Sequence, residues 1–273
     1  MPVTVRLALL LALPATAQAH AAWDTGPLSH LPVWGAQALL LALWIAGLAG
    51  AARVRPRLGE RLAFHAATAV TAVALFGPFD ERAATSTAMH MVQHMLLMVV
   101  AAPLWVLARP LPAWRAALGP WVDPWWQAVL RAGRHPVACA ALHAAAIWAW
   151  HLPQPYLAAV GNNWWHVAEH ASFAFSAWLF WWAVLRARRG HEAQAALALL
   201  FTLMHTGLLG ALLTFARAPL YAPESRDLWD QQLAGLLMWV PGGAAYLAAA
   251  AWCAHRWLGR LQRAVPAGPQ RTP

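Results

Sequence analysis

The sequence predicts an all-α, polytopic membrane protein: a bundle of seven transmembrane helices with an interfacial amphipathic segment, preceded by a signal peptide. Three observations carry that expectation. Of 273 residues, 61% are hydrophobic and only 11% charged, outside the range of a soluble domain with a wetted surface. Seven stretches approach the roughly 20 apolar residues that a bilayer crossing needs. The arginines fall in clusters that alternate with those stretches, the pattern by which a membrane chain sets its orientation.

Taken in order, Arg6 supplies a short basic region, Leu7 to Leu13 an apolar run too short to span, and Ala17-Gln18-Ala19 an A-x-A cleavage pattern. Residues 1–19 are therefore read as a signal peptide, leaving His20 as the mature first residue. A short external tail follows at 20–32, holding His30. The spans are expected at 33–52, 62–79, 87–107, 137–152, 164–185, 193–215 and 232–252, with a cytoplasmic tail at 256–273. The fourth is the shortest and is closed by Pro136 and Pro153. Between the third and fourth, "LPAWRAALGPWVDPWWQAVLRAGRH" carries four Trp and three Arg, the composition of a helix lying in the membrane interface. Residues 20–273 form one domain, with no repeat and no soluble module.

Arginine settles which side is which. Arg53, Arg55, Arg57 and Arg61 form one cluster; Arg109, Arg115, Arg131 and Arg134 a second; Arg186, Arg188 and Arg189 a third; Arg256, Arg260, Arg263 and Arg271 a fourth. The alternate loops hold only Arg82, Arg217 and Arg226. The expected topology puts the amino terminus outside, in the periplasm, and the carboxyl terminus in the cytoplasm. The same distribution accounts for the net charge of +9 without nucleic acid. Cys139 and Cys253 form no CxxC and read as small buried apolar residues.

Depth then singles out histidine. His90 and His94 lie one turn apart at the outer end of the third span, and His166 and His170 repeat that spacing in the fifth. Each i, i+4 pair presents both imidazoles on one helix face. His151 closes the fourth span at the same level, and His205 lies about 15 Å below the outer edge of the sixth by helical rise. Gln93, Glu169, Asp230 and Gln231 join them as candidates to orient imidazole N–H groups. Polar groups in a bilayer are costly, so they persist where they face a protein interior or do chemistry. His65 and His143, single histidines toward the other leaflet, read as structural. Imidazole suits copper, zinc, iron and nickel. Met89, Met91, Met95 and Met98 crowd the third span, but helical geometry lets at most one or two share the histidine face. Copper, favoured as Cu(I) by thioether, and haem held between two histidines both remain open on spacing alone.

Four stretches resemble the CtaG family, seven-span cytochrome c oxidase assembly factors associated with bacterial caa-type oxidases: "HMVQHMLLMVVAAPLWVLARP" (90–110), "WHLPQPYLAAVGNNWWHVAEHASF" (150–173), "MHTGLLGALLTFARAPLY" (204–221) and "DQQLAGLLMWVPGG" (230–243). The resemblance covers spans three to seven. It implies an inner-membrane protein needed to make an active haem-copper oxidase, with copper supplied or inserted, oxidase subunits as partners and periplasmic copper chaperones as donors. The family's histidine pattern falls on His90, His94, His151, His166, His170 and His205, and its seventh-span motif on Asp230 and Gln231. Ala102 before Pro103, and Ala108-Arg109 before Pro110, depart from the family pattern at the far end of span three.

The sequence thus leads to a copper-binding assembly factor, with His90, His94, His166 and His170 as first candidates and His151 and His205 as a second station. The rivals are a haem-binding membrane oxidoreductase, a copper transporter, and a structural partner whose histidines only lock the bundle. No Ser-His-Asp arrangement, nucleotide loop or external thiol pair is present, which points to a non-enzyme. Pro241-Gly242-Gly243 reads as a kink or a close-packing site.

Overall fold

The computed structural model describes residues 27–188, 190–221 and 227–264, and among them every regular element is helical. The signal peptide expected at 1–19, His20, Arg189, Arg226 and the chain beyond 264 lie outside the described residues. A single 3-10 turn, Pro27–His30, leads into α1 (Leu31–Val54), and His30 stacks on Trp34. Then come α2 (Leu58–Phe76), the short α3 (Pro78–Ala83), α4 (Thr87–Met95), a π-helical turn (Leu96–Ala101) and α5 (Ala102–Ala108). Next are α6 (Leu111–Leu118), α7 (Asp123–Ala132), α8 (Pro136–Trp150), α9 (Pro153–Gly161) and α10 (Asn163–Leu185). The chain closes with α11 (Glu192–Thr214), α12 (Leu228–Leu237), a second π turn (Met238–Gly242) and α13 (Gly243–Ala264).

Each predicted span has its helix. Four of them, Leu28–Val54, Thr87–Ala108, Glu192–Thr214 and Leu228–Gln262, are long and apolar enough to cross a membrane, and Pro136–Trp150 is a shorter apolar helix. The helices at 58–76 and 163–185 fall below that measure, the first carrying Glu60, Arg61 and His65, the second two histidines, Glu169 and several tryptophans. α8 ends at Trp150, because Leu152 precedes Pro153 and is pushed into the extended region, φ −67° and ψ 143°. The chain then restarts as α9. The segment expected at the interface forms two helices, α6 and α7; α6 packs along α1, and no residue of α7 is buried.

The helical run Thr87–Ala108 is continuous but changes register. At the π turn the Ala102 N–H reaches back five residues to the Leu97 carbonyl, and Pro103 has no N–H to give. The Met98 carbonyl left over is taken by the Trp181 indole of α10 at 2.8 Å. Pro241 interrupts the ladder between α12 and α13 in the same way. Gly242 sits so close to Met95 that a β-carbon there would stand 2.9 Å from its sulfur, so this motif is the kink and the close-packing site that the sequence implies.

The main core joins α4, α5, α8, α10, α11 and α13, and includes Cys139 and Cys253, both free and buried. A smaller cluster of Trp44, Phe64, Ala108, Leu111 and Trp114 holds α1, α2 and α6 together. Many of the described arginines gather at one end of this bundle, while Arg82 lies beside Ser86 at the other. Arg109 pairs with Glu60, Arg260 with Glu192, Arg53 donates to the Ala116 carbonyl and Arg186 to that of Val106. His65 accepts from the Trp44 indole, and His143 is bonded through Nδ1 to Ser176 while its buried Nε2 makes no hydrogen bond.

Candidate metal centre

At the other end, two helix starts are fixed first. Ser86 caps α4 by accepting the Met89 N–H, and donates its own hydroxyl to Asp230 Oδ1 at 2.7 Å. Asp230 also accepts the Thr87 and Ala88 N–H groups, so a carboxylate from α12 neutralises the positive end of α4. Asn162 caps α10 through the N–H groups of Trp164 and Trp165, and Asn163 donates to the Ser29 carbonyl. The two helices run parallel and in step, His90 beside His166, His94 beside His170, and Arg186 bonded to Val106 further along.

These anchors bring five imidazoles into one knot. Ring centroids of His90 and His94 are 4.3 Å apart, those of His166 and His170 4.2 Å, and His94 and His170 5.3 Å. His151 adds its ring 6.1 Å from His94. Glu169 lies between the helices, Oε2 at 3.3 Å from His90 Nε2 and Oε1 at 3.5 Å from His94 Nε2. Two triads, His90 with His166 and Glu169, and His94 with His170 and Glu169, have ligand atoms within 4.8 Å of one another. All five are buried, and Glu169, His90 and His94 have no exposed surface.

Enclosed carboxylates and imidazoles ordinarily find partners. Here several stay under-used: His90 Nε2 bonds Glu169 Oε1 at 3.5 Å, but His90 Nδ1, both nitrogens of His94 and Glu169 Oε2 make no hydrogen bond. His151 is more telling. Its Nδ1 lies 2.7 Å from the Ile147 carbonyl, which can only accept, so the proton sits on Nδ1. The lone pair of Nε2 then faces Met91 Sδ at 3.4 Å, two donors of electrons with no proton between them. Phe173 lies against the rings of His94 and His151, and Tyr156, stacked on Tyr221 at 3.9 Å, lies against His90; the Tyr221 hydroxyl donates to the His151 carbonyl. This knot of unpartnered nitrogen, oxygen and sulfur in an apolar shell can hold soft or borderline metal ions.

The model of the cytochrome c oxidase caa3 assembly factors, Caa3_CtaG, matches residues 40–260. The chain belongs to this family. No curated protein and no solved structure matches it. The matched region of this CtaG-family chain runs from within α1 to near the end of α13 and contains every residue of the knot.

Four expected site residues take other places in this CtaG-family chain. His205 of α11 stands outside the knot: its ring touches Phe201, and its nitrogens make no hydrogen bond. Gln93 donates to the Ala74 carbonyl and to Asp80 Oδ1, tying α4 to α2 and α3 rather than orienting an imidazole. Gln231 accepts the Leu220 N–H, and Asp230 is the cap described above. Of the expected orienting residues only Glu169 faces the histidines, because a helix rotates successive side chains by about 100° and the others point to neighbouring helices. Reading the sequence also missed Tyr156 and Tyr221, both fully buried beside the knot. Tyr156 lies in the quoted "HLPQPYLAAVG", where two prolines around a polar turn were the signal. His166 and His170 also line an apolar groove of about 680 Å³ that opens on the side of the bundle between α1, α2 and α10.

Proposed function

We propose that this member of the caa3 oxidase assembly family binds copper, as Cu(I), in the histidine–glutamate knot and delivers it to the oxidase during assembly. The observation that carries the reading is the five buried imidazoles around Glu169, with several ligand atoms lacking partners. Nitrogen ligands with one thioether suit copper better than magnesium or calcium, which want more oxygens. Haem fits the packing less well: imidazoles whose ring centres lie 4.2–6.1 Å apart leave no slot for a macrocycle between them. Copper here is cargo, and the chain acts as carrier rather than catalyst.

The topology in this reading has seven crossings, with the arginine end in the cytoplasm and the histidine end facing the periplasm of a bacterial inner membrane. Periplasmic chaperones supply the metal and oxidase subunits take it. The lateral groove reaching His166 and His170 supports hand-over to a neighbour within the membrane.

Metal analysis and an absorption spectrum of the purified full-length protein test this. Copper is expected, with no Soret band, and the double variant His90→Ala, His94→Ala should lose it. A protein that retains no copper, or equal copper in that variant, refutes the reading.

A further inference from the structure

We propose that the knot holds two metal ions at once, bridged by the carboxylate of Glu169, with the second ion bound more weakly than the first. This rests on the copper reading above and adds to it a stoichiometry and an order.

The register of the two helices carries the inference. Because α4 and α10 run parallel, a step of four residues along one matches the same step along the other, about 6 Å of rise. His90 and His166 therefore form one layer, and His94 and His170 the next. Each layer closes a separate triad, and the one residue common to both is Glu169. Its Oε2 lies 3.3 Å from His90 Nε2, while Oε1 lies 3.5 Å from the Nε2 of both His90 and His94, so the carboxylate is within reach of both layers. A carboxylate that offers one oxygen to each of two ions fits the separation of about 3.5–4 Å seen in two-metal sites. His166 Nε2 and His170 Nε2 lie 3.2 Å apart and bond to each other, which joins the two layers on the α10 side.

Charge sets the order. Glu169 is the one carboxylate in the two triads, and it lies wholly buried. The first monovalent ion neutralises it; the second enters a site that is already neutral and leaves a net positive charge in a medium that solvates charge poorly. The ion bound second is the one more readily given up.

The test is anaerobic titration of the purified full-length protein with Cu(I) against a graded series of chelators, with copper counted per chain. Two ions taken up in two distinct steps are expected. One ion at saturation overturns the bridged pair and leaves the carrier reading standing, whereas none overturns both. His166→Ala should fall to one ion per chain, since the His94 triad survives it; two ions in that variant overturn the layered assignment. The unaltered protein loaded with Cu(II) gives a check independent of any variant. Paramagnetic resonance should show a spin-coupled pair with a half-field transition, and two isolated signals would reject the shared carboxylate.

Discussion

The two ends of the bundle solve the problem of polar groups in opposite ways. At the arginine end the charges stay in reach of water and take whatever partner is near: Arg109 lies 3.4 Å from Glu60 with half its side chain exposed, and Arg115 grips Asp123 at 2.6 and 2.8 Å on the exposed face of α6. At the histidine end Glu169 and its imidazoles are sealed from solvent and leave ligand atoms unbonded. Surface pairs are worth little and can be exchanged at small cost, whereas a buried unsatisfied group costs on the order of 1–3 kcal/mol and persists only where something else compensates. Arginines placed to orient the chain need only be present on the right side. Histidines placed for chemistry need a particular neighbour.

The sharpest way to break this contrast is to disturb both ends by the same steric means. A β-carbon on Gly235 would stand 2.5 Å from the Gly210 carbonyl oxygen, and one on Gly50 would collide with the Ala113 carbonyl. Gly235→Val and Gly50→Val should each cost about 1–3 kcal/mol, read as a lower thermal midpoint in detergent. Only Gly235→Val should also lower copper content, because α12 carries the Asp230 that pins the start of α4. Equal copper loss in both would erase the distinction between the ends.

A smaller effect is expected from Asp230→Ala. Removing the carboxylate from the first turn of α4 should cost about 1 kcal/mol and weaken copper retention without abolishing it. Serine at that position restores one acceptor and should recover part of the loss. Smallest of all is acidification at the other end. The Arg115 hydrogen bond holds the Asp123 carboxyl below its ordinary range, so the tie between α6 and α7 is present above the unfolded value and is released as pH falls through the folded one. Tryptophan fluorescence from Trp121 and Trp125 should report that release, with copper content unchanged.

How much of this was legible in sequence follows the same division. Helix starts came through to within a few residues, since apolar length and proline placement are local properties: α1, α8 and α10 begin within two residues of their expected starts, whereas α13 runs on to Ala264, past the expected end at 252. The pairs His90/His94 and His166/His170 were equally legible, because i, i+4 spacing fixes a shared face. What was not legible depends on rotation and on distant partners. Nothing near Gln93 in the sequence names Asp80 or the Ala74 carbonyl as its destination, and nothing near Asp230 names the N-terminus of a helix more than 140 residues away. The choice of Met91 among four methionines, and the separation of His205 from the knot, likewise come from how helices turn against each other.

The π turn at Leu96–Ala101 gives the helical run from Thr87 to Ala108 a rotational phase that composition does not record. Deleting a single residue there would remove the extra residue of the turn and swing the segment bearing His90 and His94 by about 100° against everything below it. Hydropathy, arginine bias and both HxxxH spacings would survive such a deletion almost untouched. A homologue with that one-residue lesion would read as an intact member by every windowed criterion, yet its imidazoles would look at different neighbours, so counting residues between Met95 and Pro103 is a stricter proof of kinship in function than matching the motif itself.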